Sequence, residues 1–126
     1  MAATLLVVAG LLLALRAPVF AAADSDADTL AAATRGQVVL VEEPLAESLA
    51  AAGAIVWVSN PLDAFTSSDQ AAYLAFMKGD TAGARPALER ADVVVAKPDS
   101  PQAGAAIANG YTPTEHVGRY VLFRRV

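Results

Sequence analysis

Three stretches of the chain are apolar without alternation, and each stops just before a proline. Val38-Val39-Leu40-Val41 is followed by Glu42-Glu43-Pro44, the run over 54–58 by Ser59-Asn60-Pro61, and Val93-Val94-Val95 by the loop KPDSPQ. Uninterrupted apolar runs of this length, rich in β-branched residues, predict strands buried on both faces. Between the first two runs, Glu42-Glu43-Pro44 predicts a helix start, because proline is preorganised for a first turn and acids suit the positive end of the helix dipole. Leu45, Leu49 and Ala52 form its apolar stripe, and Gly53 ends it. The second strand must stop near Ser59, since Asn60 precedes a proline and Pro61 has no N–H for a ladder. Ser67 and Gln70 then have capping-box spacing. They predict a helix with Tyr73, Leu74 and Met77 on its inner side, closed by Lys78 and Gly79.

A short helix around 85–91, with Pro86 in its first turn, leads to the Val93 strand, and a small-residue helix, QAGAAIANG, follows and ends at Gly110. Segments 111–117 and 119–124 flank Gly118 as a predicted hairpin, with Tyr120-Val121-Leu122-Phe123 as the stronger strand. Strands alternating with helices predict a parallel sheet covered on both faces. The expected fold is therefore a small three-layer α/β domain of Rossmann-like type, its sheet mostly parallel and closed by a carboxyl-terminal antiparallel edge. It occupies 37–126. Ahead of it, 24–36 is expected to be a polar hinge carrying a short helix, capped by Asp28 or Thr29 and ended by Gly36.

The pattern before the hinge is different. Residues 2–15 read AATLLVVAGLLLAL, and Arg16 is the one charge before Asp24. As a helix, 1–23 is long enough to cross a hydrocarbon layer of about 30 Å, with Arg16 reaching toward an interface. As a secretory signal it offers Ala21-Ala22-Ala23 for cleavage, but it lacks a positive start. A buried helix of a soluble protein is a third reading, and would leave Arg16 without an obvious partner. The first two readings place the rest of the chain outside the cytoplasm, in a cell membrane or, if the leader is cleaved after Ala23, secreted.

Composition changes this picture little. Of 126 residues, 56% are hydrophobic and 17% charged, too apolar for disorder. The net charge is −4, and since 1–23 holds one arginine and no acid, the remainder is more acidic still. Such a surface repels phosphate backbones, which argues against nucleic acid as a partner. Without cysteine there is no disulfide, thiolate metal site or thiol nucleophile.

In an open parallel sheet, ligands bind at the carboxyl ends of the strands. That rim collects Glu42 and Glu43 from the first loop, Ser59, Asn60 and Asp63 from the second, and Lys97, Asp99 and Ser100 from the third. Paired carboxylates there suit acid–base work or a divalent cation, yet helix starts and turns want acids at the same positions. Asn60 and Asp63 are the least explained by structure; with Asp99 they are the candidate ligand or partner contacts. No glycine-rich phosphate loop exists, and the acidic turn VEEPL disfavours a dinucleotide, so no cofactor is expected. His116 beside Glu115 resembles a dyad only superficially and reads as a surface residue. Trp57 reads as core before it reads as a sugar-stacking platform, and Arg124-Arg125 reads as a solvated strand end or a contact for anionic lipid headgroups. No catalytic or metal-binding constellation is complete, which points away from catalysis by this chain alone.

The segments VWVSNPLDAF, Gln70, Tyr73-Leu74, Gly79, Asp92-Val93-Val94-Val95 and Tyr120-Val121-Leu122-Phe123-Arg124-Arg125, in this order after an apolar helix, resemble a known arrangement. It is the carboxyl-terminal soluble domain of polytopic bacterial membrane proteins similar to dolichyl-phosphate-mannose mannosyltransferase-like glycosyltransferases. The resemblance implies an extracytoplasmic module on a membrane body that uses lipid-linked sugars, with catalytic acids in membrane-part loops absent here. No catalytic residue carries over. It further implies an accessory or fragmentary portion of a larger protein, partnered by other membrane segments. The alternative is a small secreted α/β binding module.

Overall fold

The computed structural model describes residues 26–57 and 65–125. Among these, a helix covering 26–33 (α1) precedes β1 (Val38–Val41), α2 (Leu45–Ala51), β2 (Ile55–Val56), α3 (Ser67–Lys78), α4 (Arg85–Arg90), β3 (Val93–Ala96), α5 (Pro101–Ala108), β4 (Tyr111–Val117) and β5 (Tyr120–Arg125). The five strands form one sheet in the order β2-β1-β3-β5-β4. β1 is parallel to β2 and to β3, while β5 runs antiparallel to both β3 and β4. The sheet is thus mixed rather than mostly parallel by pairing. The expected carboxyl-terminal antiparallel edge is the β4–β5 hairpin, with β5 inserted between β3 and β4.

Alternation along the apolar strands builds two cores. Side chains of a strand point to opposite faces in turn, so Val39, Val41, Val93, Val95 and Leu122 go to one face and Leu40, Val94, Ala96, Val121 and Phe123 to the other. The first face is covered by Ala27, Leu30 and Ala31 of α1 and by Ala46 and Leu49 of α2. The second is covered by Tyr73 and Phe76 of α3, Leu88 of α4 and the alanines of α5. Each fully buried Val, Leu or Phe contributes roughly 1.5–3 kcal/mol. Uninterrupted runs are required here because both faces are dry.

Several details depart from the pattern reading. The 24–36 segment is more than a hinge: α1 already runs at residue 26, so Asp28 and Thr29 lie within it rather than capping it, and Leu30 is fully buried. Thr34 ends α1 by donating its hydroxyl to the Leu30 carbonyl at 2.8 Å. β2 spans Ile55–Val56 at the sheet edge, with Ile55 51% exposed where the pattern predicts a buried strand over 54–58; Trp57 follows it, partly buried against the second core, and Val58 lies outside the described residues. In α3 the cap is Thr66, whose hydroxyl accepts from the Asp69 N–H at 3.2 Å, one residue before the expected Ser67. Gln70 instead donates to the Phe65 carbonyl at 2.9 Å. The buried stripe of α3 is Ala72, Tyr73 and Phe76, while Leu74 is 48% exposed.

The terminal arginines are fastened to the fold. Arg124 donates to the Ala33 carbonyl at 3.0 Å, where α1 ends and its carbonyls lack helical partners, and to Thr114 Oγ1 at 2.8 Å. Arg125 donates to the Leu88 carbonyl at 2.6 Å and lies over the Tyr111 ring at 4.9 Å. The Tyr111 hydroxyl reaches the Leu88 and Ala91 carbonyls, both at 2.5 Å. Burial pushes that hydroxyl upward and nearby Arg125 opposes the shift. These contacts account for Arg124 and Arg125 within the domain. The exposed edge strand β4 carries Pro113 and an irregularity between Pro113 and Glu115, two features that blunt an open edge. No helix among the described residues is long and apolar enough to cross a membrane; the expected helix over 1–23 lies outside them.

Candidate functional site

The parallel strands β1 and β3 end side by side, and their carboxyl ends set the site. Leaving β1, Glu42 and Glu43 precede α2, which starts directly after Pro44. Leaving β3, the chain runs through Lys97, Pro98 and Asp99 to Ser100, which caps α5 by accepting from the Ala103 N–H at 3.2 Å while donating to the Lys97 carbonyl at 2.8 Å. Because β5 is antiparallel to β3, its first residues lie beside the last of β3, with Val121 opposite Ala96. The β4–β5 turn therefore lands on the same rim. Val117 pairs with Tyr120 across Gly118 and Arg119, and Gly118 takes φ 58°, which suits the first-position glycine of a two-residue hairpin turn. A Cβ there would also stand 3.1 Å from Asp26 Oδ1, so the Asp26 side chain would have to shift by a few tenths of an ångström.

These loops enclose a hollow of about 380 Å³. Glu42, Glu43 and Asp26 are its acidic lining residues, Lys97 and Arg119 its cations, and Leu45 and Tyr120 add apolar surface. A second hollow of about 400 Å³ shares Lys97 and Arg119 and is otherwise lined by Pro98, Asp99 and Ser100. Neither cation has a carboxylate of the described residues within the 4.0 Å of an ion pair; Arg119 lies over the Tyr120 ring at 5.8 Å.

Behind the hollow, Tyr73 of α3 is buried and donates its hydroxyl to the Val41 carbonyl at 2.9 Å. It thereby pins the point from which Glu42 and Glu43 emerge. Burial pushes this hydroxyl well above the ordinary phenol range; Glu43 and, more weakly, Glu42 add to the rise, and a hydrogen bond with the Glu43 backbone opposes it.

Of the residues singled out from sequence, Glu42, Glu43, Lys97, Asp99 and Ser100 share this rim, with Asp99 exposed in the second hollow. Ser59, Asn60 and Asp63 lie outside the described residues. His116 is exposed on β4, and its neighbour Glu115 turns to Arg124 at 3.8 Å. Asp26, Arg119 and Tyr120 were not anticipated at the rim. The turn holding Arg119 and flanking Tyr120 was legible as a hairpin, but only the antiparallel pairing of β5 with β3 brings that turn to the carboxyl end of β3. Asp26 carried no such signal. Among the described residues, no group of three or more histidines and acids is arranged to hold a metal ion. Compared with known proteins, the chain matches no family model, no curated protein and no solved structure.

Proposed function

We propose that this chain is a non-catalytic, extracytoplasmic domain of three-layer, Rossmann-like type, held at a membrane by 1–23 and accessory to a larger glycosyltransferase-like membrane protein. Its role is binding, and the carboxyl rim around Glu42, Lys97, Asp99 and Arg119 is the contact surface. The observation that carries the binding role is the hollow itself: Asp26, Glu42, Lys97 and Arg119 line one concave rim, and among the described residues no ion pair joins either cation to an acid. Ligands of α/β sheets collect at this end of the strands. The charged side chains elsewhere that cross between elements are instead closed into the fold, as Arg124 and Arg125 are.

The membrane and topology part is supported by the apolar run over 2–15 and by the resemblance in residue order. Because the chain has no cysteine, Asp99→Cys supplies one exposed thiol for labelling. In intact cells a membrane-impermeant maleimide should label it, and the labelled chain should remain in the membrane after alkaline extraction with Met1 retained. Protection from the reagent until the cells are lysed would overturn the extracytoplasmic placement. A labelled chain that begins at Asp24 and is free in the medium would replace this reading with the secreted binding module.

A further inference from the structure

We infer that the rim hollow is a site for a small zwitterion of the free amino-acid type, its carboxylate against Lys97 and Arg119 and its ammonium against the acidic wall that includes Glu42. This rests on the reading of the rim as the contact surface and adds the chemistry of what binds there.

Charge sign selects the class. Asp26 and Glu42 bring negative charge to the inner hollow, and Lys97 and Arg119 positive charge. A plain anion such as phosphate gains from Lys97 and Arg119 but meets Asp26 and Glu42 in equal number, and a plain cation meets two like charges. A molecule carrying both signs can meet both sets of charges at once, which is the complementarity that gives specificity. The cations are placed to act together, since both line the inner and the outer hollow. Neither is neutralised by a carboxylate of the described residues. Size limits the ligand as well: about 380 Å³ is at the small end of ligand clefts, which run from about 300 to 1,000 Å³. Leu45 and the Tyr120 ring give the remaining wall an apolar surface, and both are packed against the core beneath α1 and α2. That surface favours an amino acid with an apolar side chain over a polar one.

The test is equilibrium dialysis of the full chain, in detergent, against labelled L-leucine, N-acetyl-L-leucine and L-leucine methyl ester. L-Leucine should bind saturably with a Kd below about 10 mM. Each derivative, lacking one of the two charges, should bind roughly tenfold more weakly, the factor expected when one charge-assisted contact is lost. Arg119→Gln and Glu42→Gln should each weaken leucine by about the same factor while leaving the thermal midpoint of the chain in place. Lys97→Gln serves as a second cation variant should Arg119→Gln disturb the hairpin turn. If N-acetyl-leucine or the methyl ester binds as well as leucine, two-ended recognition is wrong, although the rim remains a binding surface. If none of the three probes binds saturably, the zwitterion site is refuted. If, in addition, the Asp99→Cys chain is protected from the maleimide, the broader functional reading falls with it.

Discussion

Replacing Tyr73 with phenylalanine removes one hydroxyl and nothing else from the interior. That hydroxyl is buried and donates to the Val41 carbonyl at 2.9 Å. The loss of a net hydrogen bond, together with a carbonyl left without this donor in a dry setting, should cost about 2 kcal/mol. For a domain of this size that lowers the melting midpoint by roughly 10 °C. The pH dependence gives the sharper check. In the folded chain, burial first and the neighbouring Glu43 and Glu42 second raise the Tyr73 hydroxyl above its ordinary 10.0. A raised value means that the folded state holds this proton more tightly than the unfolded state. The stabilisation is therefore whole below about pH 10 and is lost as the pH climbs from there toward the folded value. Tyr73→Phe has no such proton to lose. The stability gap between the two proteins, measured by urea denaturation followed by circular dichroism, should be full near about pH 8 and narrower near about pH 11. Tyr111 is raised in the same direction but is present in both chains, so it cancels. A gap that is equal at the two pH values, or absent at the lower one, would refute the assignment of Tyr73 as a buried latch on β1.

Other outcomes follow from particular contacts. Thr66→Ala should destabilise by about 1 kcal/mol in denaturant melts and Ser67→Ala by no more than a few tenths, because Thr66 holds the α3 cap. Gly79→Ala should cost more than Gly110→Ala in the same assay. Both glycines have positive φ, worth about 1 kcal/mol against alanine, but a methyl group at Gly79 would also overlap Pro101, whereas the space at Gly110 is open. Arg124→Met should release the carboxyl end of α1, and hydrogen exchange over 26–33 should quicken by about tenfold or more while β1 and β3 stay protected.

What could be read from the chain was whatever local chemistry decides. The runs Val38–Val41 and Val93–Ala96 are strands because nothing in them tolerates water on either face. The hairpin around Gly118 is specified by its turn. What stayed hidden depends on partners far away in sequence. The run over 54–58 looks like its two neighbours, but the crossover after it returns the chain past β1, so β2 becomes a two-residue edge beside which Ile55 faces solvent. The α3 stripe was misjudged because Tyr73 and Leu74 are adjacent and both apolar. Helical spacing allows either to lead, and the position of Phe76 in the second core decides for Tyr73. α1 hid among aspartates, since only Leu30 and its alanines carry its packing. At the site, the acids after β1 and the Lys97 loop were legible from the rule for strand ends. Arg119 was not, because its place depends on β5 entering beside β3.

That entry of β5 also bears on the birth of the molecule. Synthesis proceeds from the amino end, so β3 clears the ribosome before the strand destined for its second flank does. At about 5–20 residues per second, the stretch from Ala96 to Arg125 follows over roughly 1.5 to 6 seconds. Until β5 has followed β3 out, one flank of β3 keeps unpaired amides and carbonyls, and β4, although it emerges before β5, is not its partner in the finished sheet. A chaperone that shields nascent apolar segments would have its greatest effect in this window, and slowing elongation there should raise the yield of aggregated chain.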